Sequence, residues 1–325
     1  MPFSCELPAI KNRVRFSRDS LNGADMAKRI VLGAFFLIFT VFYAQFARGQ
    51  TEFCGNINIS HSFVGGFKKA LRFERRILEL ANLYGLDPNM ILAIMLYESG
   101  GNENLVSSAG ALGLMQVMPL TARDIKNKHG ITDNLEAGIR YLKDLSRVFG
   151  GDTSLIIAAY NGGPGRISRG EFRLETVQYL MGVSSYYHIL AGYKSCLRKA
   201  VADLKLSFLP VDSANNSWEA VSLATGIPVL ELRMFNPFLA HRVLKPGMVI
   251  VYPEKPIGVK PGLVYLPAGE KTAVWYKIRL GDIYHHLANI FGLSYGEFRR
   301  MNHLLYYSGV NYGTLVEITG ALHVK

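Results

Sequence analysis

Asp87-Pro88-Asn89-Met90-Ile91-Leu92-Ala93-Ile94-Met95-Leu96-Tyr97-Glu98-Ser99-Gly100-Gly101 is the stretch on which the reading of this chain turns. Asp87 is a helix-capping residue, and Pro88 is the imino acid tolerated at the first helical position. The run from Met90 to Tyr97 is apolar almost without interruption, which predicts a buried helix that stops at the glycine pair. Glu98 is carried to the C-terminal end of that helix, where the dipole is negative and the neighbours are hydrocarbon. Both effects disfavour its charged form and favour a general acid working near neutral pH. An exposed, merely solvated Glu on a last turn is the competing interpretation of the position alone, and the residues downstream decide against it.

Around this helix the pattern stays helical from Phe67 to about Lys199. Phe67–Tyr84 places Leu71, Ile77, Leu78, Leu80, Ala81 and Tyr84 at helical spacing and stops at Gly85. Asn134–Phe149 repeats the design through Leu135, Ile139, Leu142 and Leu145. Ser154–Tyr160 predicts a short buried helix ended by Asn161-Gly162-Gly163-Pro164-Gly165, and a further helix is expected over Val177–Leu190, irregular to Cys196. After Ala200 the texture changes to short strands (Leu204–Val211, Met248–Tyr252), with two small helical segments between them. A Pro/Gly-rich connector, Pro253 to Gly269, follows. The order then recurs: a strand near Trp275–Arg279, helices Ile283–Phe291 and Tyr295–Met301, and a strand near Leu315–Ile318. The expected fold class is a multidomain α+β chain, an all-α body followed by two small βααβ modules. The expected divisions are an N-terminal extension with a signal or anchor (1–49), an arm (50–66), the all-α domain (67–199), a first module (204–253), a linker (254–273) and a second module (274–319).

Chemistry concentrates behind Glu98. Gly113-Leu114-Met115-Gln116, Pro119 and Thr121-Ala122 follow a small, turn-rich stretch, Ser107-Ser108-Ala109-Gly110-Ala111, that returns the backbone towards the helix end. Gly113 allows close backbone approach, Met115 offers a soft apolar wall, and Gln116 supplies an uncharged donor and acceptor for hydroxyls or amides. Ala159-Tyr160-Asn161 and Glu175-Thr176-x-x-Tyr179 complete the constellation. No second carboxylate holds a comparable position: Glu103 is in a loop and Asp124 follows the Thr121-Ala122 start. His285-His286 diverge on a helix without a third ligand at suitable spacing, and Gly162-Gly163-Pro164-Gly165 lacks the lysine of a phosphate loop, so neither metal nor cofactor is expected.

On these residues the chain resembles the soluble lytic transglycosylase (SLT) catalytic domain of glycoside hydrolase family 23, related to goose-type lysozyme. The matching positions are Glu98-Ser99, Gly110-Ala111-x-Gly113-Leu114-Met115-Gln116-x-x-Pro119-x-Thr121-Ala122, Asn134, Tyr141-Leu142, Ala159-Tyr160-Asn161-x-Gly163-Pro164-Gly165 and Glu175-Thr176-x-x-Tyr179, within about residues 70–197. The resemblance implies a lysozyme-like fold and cleavage of the MurNAc–GlcNAc β-1,4 bond of peptidoglycan with formation of a 1,6-anhydro sugar. By the same analogy Glu98 is the acid and then the base. Met115, Gln116, Tyr160, Asn161 and Tyr179 hold or orient the sugar; Ser99, counted with them as a candidate, hydrogen-bonds near Glu98 or caps the helix end, the structural role being preferred. Glu175 is taken as structural, bracing Tyr179. The two modules resemble LysM, a glycan-binding fold for GlcNAc-containing polymers. The second rests on Tyr276-Lys277-Ile278-Arg279-x-Gly281-Asp282, Leu287-Ala288, Gly292-Leu293-Ser294, Phe298 and Met301-Asn302. The first is divergent, with Ser213-Ala214-Asn215-Asn216-Ser217 where Gly-Asp-Thr is usual. As a whole the arrangement resembles the membrane-bound lytic murein transglycosylase D type. A hydrolytic lysozyme on the same fold and a non-catalytic wall-binding scaffold are the alternatives.

Composition bounds the partners. The chain has 325 residues, 49% of them hydrophobic and 19% charged, enough for sizeable cores, and a net charge of +11. Residues 1–49 hold seven basic and three acidic side chains, so about +7 belongs to the remainder and favours an anionic polymer. No arginine-rich stripe or nucleic-acid motif accompanies it, and peptidoglycan strands are the expected partner rather than nucleic acid. Met26-Ala27-Lys28-Arg29 followed by the apolar run Ile30–Ala44 fits a secretory signal cut after Ala47-Arg48-Gly49, with an uncleaved membrane anchor as the alternative. The expected location is the bacterial envelope, periplasmic or held to the inner membrane. Of the cysteines only Cys54 and Cys196 survive such export, as one disulfide or as two separate thiols.

Overall fold

The computed structural model describes residues 59–257, 263–268, 271–302 and 315–318. The expected signal or anchor segment, Cys54 and the Tyr306-Tyr307 pair lie outside the described residues. Among the described residues no helix is long and apolar enough to cross a membrane.

The all-α body begins with α1 (His61–Ala70), a 3-10 turn (Leu71–Phe73) and α2 (Glu74–Tyr84), two helices where the sequence predicts one. Next come α3 (Pro88–Ser99), α4 (Pro119–His129), α5 (Asn134–Val148), α6 (Thr153–Gly162) and the single turn α7 (Pro164–Ile167). Asp87 caps α3 as the sequence predicts: its side chain accepts from Asn89 N at 2.8 Å, with Pro88 behind it. Every residue from Met90 to Leu96 is 3% exposed or less, so α3 is apolar all round and runs between α1, α2 and α8 (Leu174–Ala202). Each large side chain buried there contributes about 1.5–3 kcal/mol.

α8 is one unbroken helix of 29 residues, longer at both ends than the periodicity predicts. It passes through Gly182 because of a close approach: a Cβ at that position would stand 2.2 Å from the Tyr97 ring. The ring of Tyr97 fills the notch and meets Tyr179 edge-on at 4.9 Å between centroids. Further along α8, Tyr186 packs edge-on against Phe63 at 4.6 Å, and Tyr187 donates to the capping Asp87 at 2.8 Å. Cys196, 8% exposed on the same helix, is disulfide-bonded. Its expected partner, Cys54, lies outside the described residues.

Two βααβ units follow. In the first, β1 (Leu206–Pro210) pairs antiparallel with β2 (Val249–Pro253), Phe208 opposite Val251, and α9 (Trp218–Thr225) and α10 (Val229–Phe235) lie between them. In the second, β4 (Lys271–Lys277) pairs antiparallel with β5 (Leu315–Glu317), with α11 (Tyr284–Ile290) and α12 (Tyr295–Met301) between. The connector is not merely a linker: it contains β3 (Leu263–Ala268), which pairs with β4 and makes a three-stranded sheet in the order β3-β4-β5. Each unit has its own core, one around Trp218, Val221, Leu232 and Ile250, the other around Tyr276, Leu287, Phe298 and Val316. Both press on the all-α body. The Phe235 ring occupies the space a Cβ on Gly65 would need, Lys69 Nζ donates to Phe235 O at 3.1 Å, and Ser60 N donates to Leu280 O at 2.8 Å.

Candidate active site

Glu98 occupies the last turn of α3 at the floor of a cleft of about 760 Å³. Most of the residue is buried, with part of its surface open to the cleft. Burial in this apolar setting pushes its carboxyl up to about 7, against the opposing effect of one hydrogen bond, donated by Tyr179 Oη to Glu98 Oε1 at 2.7 Å. The Tyr179 hydroxyl is itself held well above its ordinary range, first by burial and then by the Glu98 charge, so it acts as a donor and not as a base. At neutral pH Glu98 is therefore poised between acid and carboxylate, as a group that must give a proton and then take one requires.

The loop between α3 and α4 is locked beneath Glu98 by residues from three elements. Ser99 Oγ donates to Leu114 O at 2.8 Å and to Met95 O at 3.2 Å, and accepts from Gly101 N at 3.1 Å. Tyr160 Oη, from α6, donates to Met115 O at 2.8 Å. Gln116 Nε2 reaches Gly113 O at 2.9 Å and Leu105 O at 3.0 Å. Gly113 adopts φ +69°, and a Cβ there would fall 2.5 Å from the Asn134 side chain, so the loop depends on glycine at that point. Among the described residues Gln116 is the one non-glycine with positive φ, at 47°, a strain of about 1–3 kcal/mol that its two side-chain hydrogen bonds offset.

These contacts sort the residues singled out from the sequence. Glu98 and Tyr179 meet directly, and Gln116 and Asn161 line the same cleft. Gln116 spends its amide nitrogen on the loop, which leaves its amide oxygen to face a ligand. Asn161 is exposed, and its Oδ1 accepts from Thr176 Oγ1 at 3.0 Å. Ser99 and Met115 are both 0% exposed and meet no ligand: Ser99 is a brace between helix end and loop, and Met115 is core packed against Gly138. Tyr160 acts through the Met115 carbonyl and does not line the cleft. Its hydroxyl, too, is held well above the ordinary range by burial and by the nearby Glu98 charge.

The carboxylates raised as second acids are elsewhere. Glu103 pairs with Arg72 at 3.6 Å and Asp124 with Lys128 at 4.0 Å, both on the surface and outside the cleft. Glu175, taken from the sequence as a structural brace, is instead exposed and lines the cleft. It shares the face of Tyr179 because α8 starts at Leu174, ahead of the Val177 expected from the sequence. Residues beyond the all-α body complete the lining, among them Phe238, Arg242, His285 and Tyr295. No local signal in the sequence marks those four. His285 and His286 do diverge, the first exposed on the cleft and the second buried against Phe238 at 4.7 Å between rings.

Residues 76–174 match the family model of the Transglycosylase SLT domain. A transglycosylase of Enterobacteria phage PRD1 is 35% identical over 104 residues, covering 31% of this chain and 38% of the phage protein. Membrane-bound lytic murein transglycosylase C of Cronobacter sakazakii is 35% identical over 122 residues, and that of Haemophilus influenzae 37% over 121, each match covering 31% of this chain and 34% of the relative. The chain thus spans little more than a third of the length of these curated relatives. Among solved structures, lytic transglycosylase Slt of Pseudomonas aeruginosa shares 31% identity over 37% of this chain and 24% of its own, with a TM-score of 0.33. The matched stretch from 76 to 174 carries Glu98, Gln116, Tyr160 and Asn161.

Proposed function

We propose that this protein is a lytic transglycosylase of peptidoglycan, cutting the β-1,4 bond between MurNAc and GlcNAc and leaving 1,6-anhydro-MurNAc ends. The observation that carries the proposal is Glu98 itself: a carboxyl pushed up to about 7 by burial, with one tyrosine hydroxyl as its donor and an SLT domain around it. Glu98 in its acid form gives its proton to the glycosidic oxygen as the C1–O bond breaks, and the GlcNAc hydroxyl leaves. The carboxylate so formed accepts the proton of the C6 hydroxyl of the same MurNAc, whose oxygen closes on C1. Glu98 ends as it began, and no water enters. Gln116 and Asn161, which line the same cleft, hold the sugar in register. The two βααβ units act as LysM-like glycan binders, and the protein works in the cell envelope.

Hydrolysis is the second reading, and one observation favours it: Glu175 stands exposed on the cleft, where it would act as base towards a water. Mass spectrometry of sacculus digests separates the two. Anhydro ends, lighter than reducing ends by one water, are the expected product; reducing ends alone would remove the transglycosylase reading.

A further inference from the structure

The cleft above Glu98 has a second wall, built from residues outside the SLT match. Phe238, His241 and Arg242 come from the loop after α10, and His285 and Tyr295 from the last βααβ unit. This wall is tied to the catalytic body by contacts across the cleft margin. Arg242 Nη1 donates to Val106 O at 3.0 Å, within the loop that holds Gln116. Gln178 Nε2 on α8 donates to Tyr295 Oη at 3.1 Å. Behind them, Phe63 packs on Gly281, and Lys69 reaches Phe235 O.

Arg242 is the informative member. Its guanidinium is part-exposed, and among the described residues it pairs with no carboxylate; one of its five N–H groups goes to a backbone carbonyl. Its charge weighs on the neighbouring His241, whose pKa is held down first by burial and then by Arg242. The other carboxylates of the cleft are engaged or placed elsewhere. Asp282 accepts from Tyr276 Oη at 2.8 Å and Arg279 N at 2.7 Å, Glu98 from Tyr179, and Glu175 acts on His285 from α8. A cation anchored by one hydrogen bond, with its remaining fork facing a substrate cleft, is a receptor for a planar oxyanion.

We propose that this second wall is a substrate subsite in which Arg242, flanked by His241, binds a carboxylate carried by the glycan. The inference rests on the peptidoglycan reading above, and it makes the first βααβ unit part of the active site rather than only a tether. The carboxylate has two sources in that polymer: the peptide attached to MurNAc, or the lactyl group of a strand whose peptide has been removed.

Binding separates these cases without relying on turnover. Soluble glycan fragments are titrated against full-length Glu98→Gln protein, with and without Arg242→Gln, in three forms: peptide-bearing, peptide-bearing with its carboxylates capped as amides, and peptide-stripped with free lactyl carboxylates. Arg242→Gln is expected to weaken binding about 10–100-fold for at least one carboxylate-bearing form and less than about twofold for the amide-capped form. The form that loses affinity names the source. Arg242→Lys should recover part of the loss, and His241→Gln, which leaves the bond to Val106 intact, should weaken the same form by a smaller factor. An equal loss on capped and uncapped fragments, or no loss on any, overturns the proposal, even if wild-type digestion products match the proposed reaction. Absence of digestion with the carboxylate-selective loss intact would instead overturn the catalytic reading and leave the subsite standing.

Discussion

Replacing Glu98 by Gln tests the electrostatics of the site through stability as well as activity. Burial lifts the carboxyl from 4.5 to about 7, so the folded protein binds a proton more tightly than the unfolded chain. The sign follows: below pH 4.5 both states are protonated and Glu98 costs nothing, while between 4.5 and 7 the unfolded chain ionises first and stability falls. Above 7 the full penalty is present, about 3 kcal/mol at about 1.36 kcal/mol per pH unit. Gln keeps the shape and an oxygen to accept from Tyr179, and it carries no charge to desolvate. Glu98→Gln is thus expected to match wild type in thermal melts near pH 4 and to exceed it at pH 8. At about 2–4 °C per kcal/mol for a domain of this size, the gain is about 6–12 °C. The same protein should release no muropeptides from sacculi while still sedimenting with them. Superimposable melting curves at pH 8 would refute the claim that burial dominates the environment of Glu98, and persistent muropeptide release would refute its role as the acid.

Other substitutions probe the neighbours. Tyr179→Phe removes the one hydrogen bond that favours the charged form of Glu98. The alkaline limb of the activity profile should move up by about 1 pH unit or more, and a limb that moves down would contradict the geometry. Gly182→Ala would stabilise an ordinary exposed helix by about 1 kcal/mol; here the new methyl meets the Tyr97 ring, and a net loss of about 1–3 kcal/mol in denaturant titration is expected. Ser99→Ala strands the buried Leu114 carbonyl and should cost about 1–3 kcal/mol in the same titration. Its effect on turnover should come through the loop, with Michaelis constant and rate both disturbed, since Ser99 has no surface with which to touch sugar.

Much of the all-α body was legible because its signals are local. The cap at Asp87, the unbroken apolar run and the glycine stop define α3 within the run itself, and they place Glu98 at its end. Tyr179 likewise falls within the expected helix, whereas Glu175 joins it only because α8 starts at Leu174. What escaped depends on contacts between distant segments. Met115 carries a residue type that suits a binding surface, and only the return of the loop onto the end of α3 turns it inward. The helix expected over Val177–Leu190 does run through Gly182, but the reason for glycine there, the Tyr97 ring, comes from a distant segment. β3 hid in a Pro/Gly-rich connector because a strand of this kind forms by pairing with β4, not by its own pattern. The second wall of the cleft is the extreme case, since nothing near Arg242 or Tyr295 in sequence points to Glu98.

The contact between Ser60 and Leu280, and the hydrogen bond from Gln178 to Tyr295, also govern the order in which this protein comes into being. Synthesis runs from the N-terminus, so the helix that carries Glu98 emerges and can collapse onto α1 and α2 well before its opposite wall exists. Contacts of such long sequence separation form late and slowly. The acid is therefore in place first and its cleft is finished last, by the arrival of the C-terminal units. A chain stalled or trimmed after α8 would hold Glu98 in a half-open groove, without Arg242, His285 and Tyr295 across from it.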